Sequence, residues 1–528
     1  MGQALKKEDN VMNSGAAYDD VPYDSSSYRL THPENMATMA TLFGLTPPDL
    51  ETANVLELGC AGGGNLLPLA MRFPQGRYTG IDLSARQIET ANAHKDALGL
   101  ENINFKAMDI MNVDKNFGTF DNIICHGIYS WVPTPVRDAI LRICRDNLSE
   151  NGVAVVTYNT LPGWAAAKGL RDMMLYHTKD MNDPAEKVQQ ARELLNFLLE
   201  CSTESFSNHN FLKHEIGLLK NADDSYLMHD HLEAENTAFY IHEFMEEAQK
   251  HGLQYLGDTS ISQMYLGNLP QKAQETFAGI QDIVRQEQYM DFVNNRRFRH
   301  TMLTGSKAVI KRSVSPDLVK KFYIGSYMKP DGAVANNTES VKFSTIVSNA
   351  TLSTTDPATK AFLTTIGKYP GYFRKLDDVI RDTAEGYDYV TEEQAVQVAE
   401  TFLMTLVLKG FCELSISPSS WMTSLSEKPE SHKLARYQAT LPGAKWVTNM
   451  RGEKTDIDMT GALVVQYADG TRTVDEIVQE VARALHKRGA EIRHKGEIVE
   501  SIDAIAEAIR PNVDTVLDGA LRGGVLTA

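Results

Sequence analysis

The sequence predicts an α/β protein: an open, mostly parallel sheet flanked by helices, with a helical insertion, followed by mostly helical domains. Three observations lead there. Short apolar runs alternate with helical stretches from Val55 to Tyr158, the pattern of βαβ units. A glycine cluster joins the first run to the first helical stretch. From Lys311 onward the alternation gives way to long helical patterns.

The first unit is Val55-Leu56-Glu57-Leu58-Gly59-Cys60-Ala61-Gly62-Gly63-Gly64, running into Asn65-Leu66-Leu67-Pro68-Leu69-Ala70. A strand, glycine turn and helix in this order let a ligand lie against bare backbone at a helix N-terminus. A nucleoside cofactor is expected there. Tyr78 to Asp82 reads as a second strand ending in an acid, placed about 20 residues beyond the turn, where a carboxylate accepts ribose hydroxyls. Ile103 to Ala107 is a third strand, followed by Asp109, and Phe120 to Cys125 a fourth, leading into His126-Gly127-Ile128-Tyr129-Ser130-Trp131. Between them, Ala85 to Leu98 reads as a helix ending at Gly99, and Pro135 to Leu148 as another. Asn151 to Tyr158 is the fifth strand and delivers Asn159 to Trp164 to the same sheet edge as His126 to Trp131. Ligands bind at that edge, so the two loops are expected to face one another.

Glu57-x-Gly59, Asp82, Asp109 and the Phe-Asp-x-Ile-Ile strand, in this order, resemble the motif series of class I S-adenosylmethionine-dependent methyltransferases. Ala61 departs from it, standing where many members have a second glycine. The resemblance implies a Rossmann-like domain in which Gly59 and Gly63 let the backbone approach the methionine part of S-adenosylmethionine. Asp82 would hold the ribose and Asp109 the adenine amino group, with Tyr23, Glu57, Ala61, Asn65, Leu83, Ile110 and His126 completing the cofactor-binding set. His126, directly after a strand, is expected to line the cofactor through its backbone rather than act as a general base.

The composition narrows the partners. With 52 basic against 69 acidic residues, net −17, nucleic acid is not the expected partner, because neutralising phosphates needs a basic surface. The five cysteines are widely spaced and contain no Cys-x-x-Cys pair, so neither a disulfide framework nor a zinc site is expected, and a cytoplasmic location fits. No apolar run approaches the length of a membrane span, and the first residues show no signal peptide. His229-x-His231-x-Glu233 invites a metal reading, but no further ligand follows at a usual spacing, and a solvated loop is expected instead.

In chain order, 1–30 is read as a flexible N-terminus and a lid over the site, with Tyr18, Tyr23 and Tyr28 in the segment that folds across the cofactor. Glu34 to Gly44 is an amphipathic helix. The cofactor domain is expected over 31–164 and 231–305, the second part holding a helix from Phe239 to His251, the strand Leu253 to Leu256 and a last strand Phe298 to Leu303. The intervening 165–230 is rich in Leu, Met and Phe at helical spacing, a helical insertion that dimerises or caps the site. Residues 306–355 read as a linker or middle region. The blocks 356–425 and 426–528 each show helix, helix, glycine, strand, the skeleton of a winged helix in weak repeat. In the second block the closing elements are a helix from Val513 to Leu521 and Val525-Leu526. From Lys311 to the end there are 26 basic and 29 acidic residues, which favours protein contact over DNA.

Methyl transfer is an in-line displacement, so the protein must align nucleophile and methyl in a dry geometry, and ring faces stabilise nearby cationic charge. Tyr129, Trp131, Asn159 and Trp164 are therefore the candidate acceptor-side residues, with Tyr18 and Tyr28 from the lid. That aromatic character suits an amine, although a phenol or carboxylate could use the same pocket. The longer string of Tyr18-Asp19-x-Val21-Pro22-Tyr23, Thr31-His32-Pro33, Gly63-Gly64-Asn65-Leu66-Leu67-Pro68, His126-Gly127-x-Tyr129-Ser130-Trp131-Val132-Pro133 and Asn159-Thr160-x-Pro162-Gly163-Trp164 looks like the bacterial methyltransferases with a regulatory domain. That group includes the rickettsial lysine methyltransferases of outer-membrane proteins. The likeness implies a homodimer built on a helical insert, winged-helix-type accessory domains, and accessible lysines of a protein substrate as acceptors. A small-molecule N- or O-methyltransferase, and a non-enzymatic cofactor-sensing regulator, stay open at this point.

Overall fold

A computed structural model describes residues 25–220, 222–233, 235–346 and 350–527. Seven strands form one sheet: β1 Asn54–Leu58, β2 Arg77–Asp82, β3 Ile103–Ala107, β4 Phe120–Cys125, β5 Leu148–Asn159, β6 Leu253–Asp258 and β7 Phe298–Gly305. Their order is β3-β2-β1-β4-β5-β7-β6. The first five run parallel, and β7 is antiparallel to both β5 and β6. Apolar residues alternate between the two faces. Val55, Ile124, Val153 and Val155 join Met36, Met39 and Leu66 on one side. Leu56, Leu58, Ile123, Cys125, Ala154 and Val156 join Ile140, Ile143 and Phe244 on the other. A sheet buried on both faces needs such near-continuous apolar strands.

Local signals set the helix ends. Pro33 opens the helix Pro33–Leu42, where a missing N–H costs nothing. Ser84 caps Ala85–Leu98 by accepting from Gln87 N, and Gly99 closes that helix in the left-handed region at φ +63°.

The insertion comprises Trp164–His177, Pro184–Cys201 and His209–Leu219. These pack their own core from Leu170, Met174, Ala191, Leu195, Leu212 and Ile216. The segment from His229 to Glu233 differs from the solvated loop expected of the sequence: Leu227–His231 forms a π-helical turn that buries both histidines, each at most 3% exposed. Among the described residues no group of three or more potential ligands is arranged to hold a metal.

The expected linker is also folded. β8 Tyr323–Ser326, β9 Met328–Pro330, β10 Val341–Thr345 and β11 Thr351–Thr354 all lie within it. β9, β10 and β11 form a sheet, and they share a core with the helices Pro357–Ile366, Leu376–Gly386 and Glu392–Leu408. The strand after Gly410, β12 Cys412–Ser415, pairs with β8 rather than with a local partner. In the last block β13 Trp446–Thr448 pairs with β14 Lys454–Asp456. A hairpin of β15 Ile492–His494 and β16 Glu497–Val499 then separates the helix Val474–Lys487 from the last one.

That last helix spans Ile502–Arg522 and runs through Pro511, whereas the sequence pattern predicts a start at Val513. Interior proline costs roughly 3 kcal/mol. Ile505, Ile509, Val513 and Leu517 are all buried along one stripe of this helix, and each is worth roughly 1.5–3 kcal/mol. Burial wins, and the helix continues. Val525-Leu526 makes only a single bridge, Leu526 to Ser431.

No helix among the described residues is long and apolar enough to cross a membrane.

Candidate functional site

β1 ends beneath the glycine turn, whose first two amides, Gly59 N and Cys60 N, both donate to Ile81 O at 2.8 and 3.0 Å. This fastens the turn to the end of β2. Gly59 and Gly63 sit at φ +75° and +79°, and Ala61 at +45°. A Cβ at Gly59 would stand 2.3 Å from the Ile128 side chain, and one at Gly63 would stand 2.5 Å from the Phe105 ring. The glycines are thus required by packing below the turn as well as by its dihedrals.

Asp82 and Glu57 organise the turn from opposite ends. Asp82 accepts Ala61 N through Oδ2 and Ser84 N through Oδ1, both at 2.9 Å. Glu57 is 4% exposed and accepts from Asn65 Nδ2 at 2.8 Å, while its Oε2 has no hydrogen-bond partner. Burial pushes the Glu57 carboxyl up to about 8, the Asn65 bond opposing and Asp82 adding to the rise. Asn65 also binds the N-terminal strap, donating to Thr31 Oγ1 and accepting Tyr28 N at 2.9 Å. Asp109 accepts Met111 N at 2.8 Å and caps a short 3-10 turn over Ile110–Asn112. Ile110 packs partly into the core. Leu83 and Met111 stay 50% and 44% exposed beside the two acids.

At the end of β4, His126 meets three rings from distant parts of the chain. Tyr28 lies over it at 3.9 Å between centroids, His300 stacks at 6.0 Å, and Phe298 approaches edge-on at 6.2 Å. Phe298 and His300 alternate on one face of β7, opposite Asn159 and Thr157 of β5. Thr157 Oγ1 accepts Gly127 N at 2.9 Å and lies 3.2 Å from His126 Nδ1. That hydroxyl donates to Nδ1 when the ring proton is on Nε2 and accepts from it when the proton is on Nδ1. Burial, with a further push from His300, takes His126 down to about 3, and burial also lowers His300. Both imidazoles are neutral at physiological pH. Asn159 is buried and its Nδ2 has no hydrogen-bond partner.

The two loops do face one another. Ser130 Oγ accepts Asn159 N at 2.8 Å, and the Trp131 and Trp164 rings meet edge-to-face at 6.4 Å. Trp164 Nε1 donates to Asn236 Oδ1 at 2.9 Å, and His231 stacks on the Trp164 ring. Tyr129 departs from expectation. It is 2% exposed and packed among Tyr158, Phe239 and Phe244, on the core side of the sheet. Tyr18 and Tyr23 lie outside the described residues.

Comparison with known proteins bears directly on this geometry. Residues 55–152 match the model of a methyltransferase domain, 223–304 that of a predicted methyltransferase regulatory domain, and 427–525 that of the PKMT C-terminal winged helix domain. A protein of Rickettsia prowazekii is 39% identical over 505 residues, covering 93% of this chain and 90% of its own length. The structure of PKMT2 from Rickettsia typhi in complex with AdoHcy superposes with a TM-score of 0.88 at 33% identity, covering 96% of this chain and 100% of that one. A second structure of PKMT2 from Rickettsia typhi gives a TM-score of 0.87. The chain belongs to this family of S-adenosylmethionine-dependent methyltransferases.

The residues of this methyltransferase fit its cofactor. Glu57 Oε2 is a buried polar atom without a hydrogen-bond partner, and Leu83 and Met111 are large apolar side chains left uncovered beside Asp82 and Asp109. An adenine ring would cover such surface, and a ribose would offer two donors to the Asp82 carboxylate. Asp109 and Ile110 would take the base, while the turn from Gly59 to Gly63 and the Glu57–Asn65 pair would take the amino-acid end. When bound, S-adenosylmethionine supplies an electrophilic methyl on a sulfonium. The residues of the chain would then align the acceptor and exclude water.

Phe298 and His300 escaped the sequence reading, although β7 itself was legible. The signal was their alternation, an aromatic and an imidazole two apart in an antiparallel strand beside β5. Only the pairing register brings them to His126.

Proposed function

We propose that this methyltransferase transfers methyl groups to lysine side chains of proteins. The observation that carries the reading is the wall of Tyr28, His126, Phe298 and His300 beside the unpaired Asn159 amide, at the sheet edge where the acceptor must enter. Its rings offer faces to an ammonium or a methylated amine, and its imidazoles carry no charge to repel one. A lysine must lose a proton before it attacks. Bringing its pKa from about 10.4 to 7 costs roughly 4–5 kcal/mol, which desolvation in such a wall and a neighbouring sulfonium both help to supply. Similarity to PKMT2 over the whole chain, including the accessory domains, supports a protein acceptor.

The same reading includes a homodimer. The insertion leaves Met173, Tyr176, Phe197, Phe206, Phe211 and Leu218 exposed on its helices and the turn between two of them, and apolar surface at that density supports an interface there. Five free cysteines, four of them buried, suit a reducing cytoplasm.

Incubation with methyl-labelled S-adenosylmethionine and bacterial protein extract, followed by separation by size and peptide mass spectrometry, tests the acceptor. Label on lysines is expected. Label confined to small metabolites would overturn the proposal.

A further inference from the structure

The segment that clamps the cofactor turn is continuous with residues gripped by both accessory domains. On the turn side, Ser25 Oγ accepts Gly64 N at 2.8 Å. The approach is so close that a Cβ at Gly64 would stand 2.3 Å from Ser25 O. Tyr28 N donates to Asn65 Oδ1, and the Tyr28 ring rests on His126.

One peptide further, the chain is held from the opposite side. Arg29 donates through its terminal nitrogen to Glu413 Oε1 at 2.9 Å and through Nε to Glu453 Oε1 at 3.0 Å. Glu413 belongs to β12 of the middle domain, and Glu453 to the turn between β13 and β14 of the C-terminal domain. Glu453 is itself fixed, by Tyr327 Oη at 2.9 Å and by Arg451 Nε at 2.6 Å. Arg451 in turn donates to Pro370 O at 2.8 Å. His32, which shares a hydrogen bond with Ser27, fills the space before Gly452, where a Cβ would stand 2.0 Å from the ring. The Arg29 side chain is 19% exposed and its two partners 27% each. At that depth, removing one member of the cluster leaves charge without compensation.

We infer that Arg29 is a positioning residue for cofactor binding, through which the middle and C-terminal domains jointly hold the Ser25–Tyr28 strap against the glycine turn. The inference rests on the cofactor site and not on the lysine acceptor. Its physical basis is the lack of slack: a single peptide separates the ring on His126 from the guanidinium between two domains. Cofactor affinity and the seating of the accessory domains are then linked, and such coupling acts equally in both directions. A protein that pulls on the C-terminal domain changes cofactor affinity, and bound cofactor stiffens the domain junction.

Calorimetric titration with S-adenosylhomocysteine tests this on the full chain. Arg29→Met, and the double variant Glu413→Gln with Glu453→Gln, are expected to raise the dissociation constant at least about fivefold, the lower end of typical coupling. Arg29→Lys should restore part of the affinity, and Asp518→Asn, exposed on the last helix, should leave it unchanged. Hydrogen exchange gives the reciprocal readout. S-adenosylhomocysteine should slow exchange over 449–454 in the wild type and not in Arg29→Met. Wild-type affinity in the double variant, or exchange over 449–454 that ignores the cofactor, would overturn the inference. The double variant keeps side-chain shape, so it decides the matter even if Arg29→Met does not fold.

Discussion

The ring of Tyr28 lies 3.9 Å from that of His126, tilted by 44°. The contact joins the N-terminal strap to the end of β4, between the cofactor turn and the Phe298–His300 face. Tyr28→Ala is therefore expected to lower single-turnover rate at least about tenfold, equivalent to about 1.4 kcal/mol of barrier, and more than it lowers cofactor affinity. Tyr28→Phe, which keeps the ring, should stay within about threefold. Rapid-quench measurement of methyl transfer distinguishes the two.

Asp82 and Asp109 should differ in what they take with them. Asp82 accepts from both Ala61 N and Ser84 N, whereas Asp109 supports a short 3-10 turn. Each change to alanine should weaken S-adenosylhomocysteine binding at least about tenfold, with Asp82→Ala also lowering the melting temperature of the free protein. Equal melting temperatures with unchanged affinity would remove both from the site.

Ala61 occupies the left-handed region at φ +45°, a conformation that costs an L-residue roughly 1–2 kcal/mol. Ala61→Gly should accordingly stabilise the folded chain by about 1 kcal/mol or less, since glycine also makes the unfolded chain freer. Denaturant unfolding of the two proteins side by side measures it.

Glu57 gives a pH-dependent effect of definite sign. Its carboxyl rises from 4.5 to about 8 on folding, so the native state binds more protons between those values. Stability contributed by this group is lost as pH rises through that window. Glu57→Gln keeps the bond to Asn65 and never ionises, so it should raise the melting temperature at pH 9 and change it little at pH 5. The reverse trend in a thermal scan would show that Glu57 ionises easily in the folded chain.

Tyr176 and Phe197 are 74% and 59% exposed on the insertion. Replacing both with aspartate should convert a dimer to a monomer in sedimentation velocity while leaving cofactor affinity near the wild-type value. A wild type that sediments as a monomer would refute the dimer outright.

Much of the fold was legible because its signals are local. The strands β1 to β5 announce themselves as apolar runs, and Gly99 stops a helix by a conformation that glycine adopts freely. Other features were misread for identifiable reasons. Pro511 argued for a break, yet the apolar stripe from Ile505 to Leu517 carried the helix through it. The segment 306–355 read as a linker because β8 finds its partner, β12, only after three intervening helices. His231 looked solvated because the indole that stacks on it, Trp164, lies far away in the sequence. Tyr129 stands on a loop without periodicity, and its inward turn was decided by Phe239 and Phe244.

By itself the sequence determined the glycine turn and the acids around it, since a strand, a glycine turn, a capped helix and an acid at the next strand end lie within a few turns of one another. Tertiary structure alone decided the ring cluster around His126 and the grip on the strap. Phe298 and His300 reach His126 only through the β5–β7 register, and Arg29 meets Glu413 and Glu453 only once two later domains have folded. Contacts between residues so far apart leave no periodicity in the chain, and what creates them is the packing of finished elements.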